Sequence, residues 1–194
     1  MRVFAAIPLP DDVVDDLRER VEDAAAELPR DLLRWTAPSA WHLTLAFFGS
    51  MTEREVDDLR SRLHRTARRH AVLTLTIAGS GHFGRRVLWT GVRGDVEPLR
   101  RLARSVTAAG RRAGADVDDQ VTYRPHLTVA RAVTHRGDDP APVRTAMTHA
   151  VGRLRDYTGP TWSAPAFTLV RSDLGKGEGH RARHTVLETF PLGS

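Results

Sequence analysis

Two short stretches of the chain alternate apolar and polar residues with the same letters in the same order. Residues 41–47 read WHLTLAF, and residues 125–131 read PHLTVAR. Alternate residues of a strand share a face. His42, Thr44 and Ala46 therefore fall on one side, with Leu43, Leu45 and Phe47 on the other. In the second stretch His126, Thr128 and Ala130 oppose Leu127 and Val129. Each stretch predicts a strand with a greasy face for a core and a His/Thr pair on the face away from it.

The pattern elsewhere alternates between strand and helix periods. Strands are predicted at 2–10, 41–49, 73–84, 86–94, 121–133, 165–175 and 184–192, where β-branched and aromatic residues run between glycines or prolines. Val13, Val14, Leu17 and Val21 recur at helical spacing, predicting a helix over 11–29 capped by Asp11 or Asp12. A second helix is predicted over 52–70. Thr52 with Glu55 three residues on has the spacing of a capping box. A third helix over 95–114 ends at Gly114. Residues 136–160 are mixed, with a short helix around 141–151 and then a loop. A Gly-rich basic loop spans 175–183. This order of elements predicts an α+β fold with mixed or antiparallel sheets, and no linker divides the chain into independent domains.

Composition changes this picture little. The 194 residues carry 41% hydrophobic and 27% charged positions, an ordinary balance for a folded domain. There is no cysteine, which removes disulfides, thiolate ligands and a cysteine nucleophile. No apolar run reaches the ~20 residues of a membrane helix, and no signal peptide is evident. The expectation is a cytoplasmic protein without membrane contact. The net charge is +5, and of the 29 cationic residues only Lys176 is a lysine. An arginine-rich surface suits a polyanion, because guanidinium matches phosphate geometry. Compositional bias toward arginine would give the same count.

The paired motif carries the chemistry. A single strand histidine is more often structural than catalytic. Two, each followed by Leu-Thr-aliphatic and flanked by alternation, suggest that both line one groove. Imidazole titrates near ~6.5, so one histidine can serve as base while the other serves as acid. Threonine hydroxyls and a guanidinium can hold the phosphate oxygens between them. This chemistry requires no metal, and no metal-ligand motif such as H-E-x-x-H is present. Phe48 has the strand parity of His42 and is a candidate for stacking on a base, with core packing at the strand's end as the alternative. Tyr123 is a weaker candidate of the same kind. Arg131 has the wrong parity for His126 and reaches the groove only if the strand ends or bulges near Ala130.

HLTLAF and HLTVAR resemble the paired H-x-T-x motifs of the 2H phosphoesterase superfamily. Within it the chain most resembles the RNA 2′,3′-cyclic phosphodiesterases, once described as 2′-5′ RNA ligases. RVFAAIPLP, LLRWTAPSAWHLTLAFFG, RVLWTGV, YRPHLTVAR and FTLVRSDLG match the family in order, over nearly the whole length. The resemblance implies a bilobal α+β fold in which residues 1–194 form one domain of two intertwined lobes. Each lobe would bring one motif, with antiparallel sheets around a central groove. It implies hydrolysis of a 2′,3′-cyclic phosphate to a 2′-phosphate, on RNA ends or nucleotides, without cofactor or metal. His42 would be the proton donor and His126 the proton acceptor. Thr44, Thr128 and Arg131 would bind phosphate. Ligation at the same site, and RNA or nucleotide binding without catalysis, are the alternatives. A monomer is the default for an enclosed groove. His184 stands where relatives often carry a tyrosine, near the base or ribose.

Overall fold

A computed structural model describes residues 1–117, 122–134, 137, 139–175 and 182–193. Among the described residues, nine strands and four helices follow one another. They are β1 (Arg2–Pro8), α1 (Asp11–Ala26), β2 (Leu33–Trp35), β3 (His42–Ser50), α2 (Glu53–Ala67), β4 (Leu73–Phe83) and β5 (Val87–Gly94). After these come α3 (Val96–Arg112), β6 (His126–Ala132), α4 (Pro140–Leu154), β7 (Thr158–Ala164), β8 (Ala166–Asp173) and β9 (Arg183–Pro191). A single 3₁₀ turn at Pro38–Ala40 leads into β3.

The strands form two antiparallel sheets, ordered β3-β1-β8-β9 and β2-β6-β5-β4-β7. Helices α2 and α3 pack on the first sheet, and α1 and α4 on the second. Helix α1 follows a strand of the first sheet but covers the second. Helix α3 follows a strand of the second but covers the first. This exchange knits the two lobes through one apolar core, which includes Leu43 and Leu45 of β3 and Leu127 and Val129 of β6. The α+β bilobal expectation holds, with every strand pair antiparallel.

Local sequence explains most of the elements. The Thr52–Glu55 capping box forms as expected: Glu55 N–H donates to Thr52 Oγ1 at 3.3 Å, and Thr52 N–H donates to Glu55 Oε2 at 2.7 Å. Gly114 just past α3 has φ +94°, a left-handed turn that glycine adopts without strain. The start of α1 differs from expectation. Pro10 is its N-cap, and Asp11 and Asp12 lie in the first turn without capping it. There they oppose the positive end of the helix dipole instead. The stretch expected to be mixed contains a full helix, α4, and the first residues of a strand, β7. Most of the Gly-rich loop, residues 176–181, lies outside the described residues.

The sheet register holds the feature that matters most for the site. Along β3, Thr44 pairs with Ala6 and Ala46 with Ala5, so Leu45 is an extra residue. Along β6, Thr128 pairs with Trp89 and Ala130 with Leu88, so Val129 is an extra residue. Both strands thus bulge at the third residue after the motif histidine. A bulge turns two successive side chains to one face and reverses the parity beyond it. Leu45 and Ala46 are both buried, as are Val129 and Ala130.

Candidate active site

The bulges decide which side chains face the groove. Arg131 regains the face of His126 and Thr128, and it lines the cavity between the sheets together with them. Phe48 goes the other way, which corrects the expectation for it. Phe48 is 1% exposed and belongs to the core, while Phe47 is 63% exposed and stands in the groove. A Cβ on Gly110 of α3 would lie 2.5 Å from the Phe48 ring, so the glycine makes the seat for that ring. Phe47 and Arg131 occupy the same offset in the two motifs, five residues after the histidine.

The two histidines are held alike. His42 Nδ1 lies 2.8 Å from the Ala40 carbonyl, and His126 Nδ1 lies 2.7 Å from the Arg124 carbonyl. A carbonyl only accepts, so Nδ1 carries the hydrogen in both rings and Nε2 is left for chemistry. Each ring also leans on a phenylalanine. Phe4 of β1 stacks on His42 at 4.9 Å, and Phe83 at the end of β4 meets His126 edge-on at 4.8 Å. Phe83 rests in turn on Trp89, whose ring lies where a Cβ on Gly81 would stand, at 2.3 Å.

Both histidines, Thr44, Thr128 and Arg131 line one cavity of about 660 Å³ between the sheets. The site residues expected from the sequence therefore converge, Phe48 excepted. Among the described residues neither threonine hydroxyl has a hydrogen-bond partner, and no acid pairs with Arg131. Both threonines are left free to donate to a ligand.

Three further residues join the site. Arg34 of β2 lies directly across from Arg131 and lines the same cavity. Like charges opposed on a sheet repel, so the pair is poised for an anion between its members. The three-residue strand β2 has no periodic signal to reveal it. Phe47 is the second, and its alignment with Arg131 in the paired motifs is the signal that points to it. His184 of β9 is the third, its ring centroid 5.6 Å from His42 and 5.1 Å from Phe4. Tyr123 packs partly into the core and lines a neighbouring cavity rather than this one. His64 bonds Glu188 at 2.6 Å and touches Phe190.

Electrostatics set the histidines apart. Burial, the positive potential of His184 and, more weakly, that of His126 push His42 down to about 4, against the opposing pull of the Ala40 carbonyl. Burial also lowers His184. His42 is therefore neutral at pH 7 in the free protein. A phosphodiester anion between the histidines supplies the opposite charge that would raise it. Among the described residues no group of three or more His, Cys, Asp or Glu side chains is arranged to hold a metal ion.

The 2′-5′ RNA ligase superfamily model matches residues 9–176. The chain belongs to this superfamily. Two curated members of similar sequence are the RNA 2′,3′-cyclic phosphodiesterases of Geobacillus stearothermophilus and Escherichia coli. The first is 26% identical over 193 residues, covering 97% of this chain and 56% of the relative. The second is 28% identical over 197 residues, covering 98% and 96%. The solved structure of E. coli LigT complexed with 3′-AMP superposes with a TM-score of 0.75 at 26% identity, covering 100% of this chain and 98% of that one. The E. coli LigT structure shares the fold described above.

Proposed function

We propose that this protein is an RNA 2′,3′-cyclic phosphodiesterase that opens the cyclic phosphate to a 2′-phosphate. One observation carries the reading: two histidines, held by i−2 carbonyls in the same tautomer, present Nε2 to one groove beside two unpartnered threonine hydroxyls and an Arg34–Arg131 pair. The names of the curated relatives support it, and the 3′-AMP bound to E. coli LigT supports a nucleotide as the ligand.

In this reading the cyclic phosphate binds between the histidines, its non-bridging oxygens on Thr44, Thr128 and Arg131, with Arg34 beside them. Its negative charge raises His42, which takes up a proton on Nε2 as the substrate arrives. His126 Nε2 removes a proton from water. The new P–O bond forms as the P–O3′ bond breaks opposite it, and His42 protonates the departing 3′ oxygen. The Nδ1–carbonyl bonds keep both rings oriented throughout. Phe47 offers its exposed ring to the terminal base.

The low pKa of His42 favours a second order of events, in which His42 is the base and His126 the acid. The pH–rate profiles of His42→Ala and His126→Ala separate the two: the variant that lacks the base loses the acidic limb, and the variant that lacks the acid loses the basic limb. Turnover of a 2′,3′-cyclic nucleotide followed by 31P NMR is expected to yield the 2′-phosphate, and a 3′-phosphate would contradict the reading.

A further inference from the structure

The two motif histidines share a tautomer and a kind of backbone partner, but the rings that brace them come from different distances. Phe4 belongs to the strand beside His42, is 3% exposed and is seated in a small cluster with Ala6 and Val170. Directly across from His126 on β5 stands Gly91, which offers no side chain. The ring that meets His126 is Phe83, and it comes from β4, two strands away in the sheet.

Phe83 reaches His126 over a platform. Trp89 of β5 faces Gly81 of β4 on one side and Thr128 of β6 on the other. The Trp89 ring lies over Gly81, where a Cβ would come within 2.3 Å of it, and extends to Gly91, where a Cβ would lie 3.6 Å away. Phe83 sits against this ring at 5.5 Å, and against His126 at 4.8 Å with the two planes 87° apart. The arrangement runs against stability. Glycine inside a strand forfeits backbone order and a packed side chain. The indole N–H of Trp89 is buried without a hydrogen-bond partner among the described residues, a cost that an all-carbon side chain would avoid. Such costs gather where a site needs a geometry that stability alone would not choose. Trp89 lines neither the catalytic cavity nor the neighbouring one, so its ring does not act by touching a ligand there.

We propose that Phe83 and Trp89 are positioning residues of the reaction: Trp89, laid over Gly81 and Gly91, carries Phe83, and Phe83 fixes the ring of His126. The Arg124 carbonyl holds that ring at one corner, Nδ1. A single hydrogen bond leaves the ring free to rock about it, and Phe83 supplies the second point of contact, which aims Nε2. The inference rests on the catalytic reading, in which Nε2 of His126 exchanges a proton with the reacting oxygen. A misplacement of about 1 Å in such a group can cost on the order of 10²-fold in rate.

Gly81→Ala tests this with one methyl group. Gly81 lines neither cavity and its backbone is not left-handed, so alanine suits the strand and the displaced Trp89 ring is the direct consequence. Trp89→Leu is the second variant, because it removes the platform without adding volume. In both, kcat for a 2′,3′-cyclic nucleotide is expected to fall at least about tenfold while KM stays within about twofold. The Gly81→Ala, Trp89→Phe double variant should recover much of the loss, since the smaller ring leaves room for the methyl. The Cε1–H NMR signal of His126 should move in both single variants as Phe83 shifts, while that of His42 in the other lobe stays in place. A cooperative thermal transition checks the fold of each variant. Unchanged kcat, or a His126 signal that does not move, overturns the proposal. A loss confined to KM also overturns it, because Phe83 would then be a substrate contact. Absence of turnover by the unaltered protein would instead refute the catalytic reading, and the NMR signal would still judge the seat of His126.

Discussion

Single residues carry the chemistry, and His42 is the most constrained of them. Its ring is pressed between Phe4 and His184 and tied to the Ala40 carbonyl. An NMR titration of the free protein should find it near 4. His184→Ala removes a like charge, so the His42 pKa should rise in that variant. Saturating a phosphate-bearing product should raise it further. A His42 that titrates at an ordinary value, or that does not move in either experiment, would contradict the electrostatic account. Phe47 and Phe48 give a second contrast at this scale. Phe48→Ala empties a core site and should cost about 3–5 kcal/mol in chemical denaturation. Phe47→Ala removes an exposed ring and should leave stability within about 0.5 kcal/mol while raising KM for a nucleotide substrate. Equal stability losses would mean that the β3 bulge is misplaced.

At the scale of elements, the part of the fold legible in the sequence is the part dictated by neighbours along the chain. The α2 capping box, the apolar spacing of α1 and the His/Thr alternation of β3 and β6 are all local patterns, and all appear in the structure. The bulges are a property of two strands at once. Nothing in HLTLAF alone says that Leu45 lacks a partner on β1, so parity assigns Phe48 to the groove. Arg131 reaches the groove through the bulge that its parity makes a condition. Strand β7, with Gly159 and Pro160 inside it, shows no clean alternation and gains its place by pairing with β4. Strand β2 is too short for any period. The fit of Phe48 on α3 is also a pair property, and it makes a prediction. Gly110→Ala places a methyl 2.5 Å from the Phe48 ring and should destabilise the protein by about 1–3 kcal/mol through overpacking. A neutral or stabilising result, as helix propensity alone would give, would contradict that packing.

For the whole molecule, the two lobes share one core and present two equivalent strands to one groove. Each bulged motif places a histidine, a threonine and a sixth residue on the groove face. That sixth residue is Phe47 in one lobe and Arg131 in the other. The near-symmetry of the backbone thus yields an asymmetric site, with an aromatic ring at one end and a pair of guanidinium groups at the other. The low pKa of His42 also sets how the fold responds to acid. A histidine whose folded pKa lies below its unfolded value binds fewer protons in the native state. Its contribution to stability is intact above about pH 6.5 and is lost as pH falls toward 4. The loss amounts to up to about 3 kcal/mol for a shift of this size. Thermal midpoints should fall across this window in the free protein, and less so in His42→Asn.

The central claim is that His42 and His126 together catalyse hydrolysis of a 2′,3′-cyclic phosphate. The most direct measurement is turnover of a 2′,3′-cyclic nucleotide in excess chelator by the protein and by its His42→Ala, His126→Ala double variant. The account predicts activity that survives the chelator and falls by at least about 10²–10⁴-fold in the variant. Unchanged turnover in the double variant would contradict it.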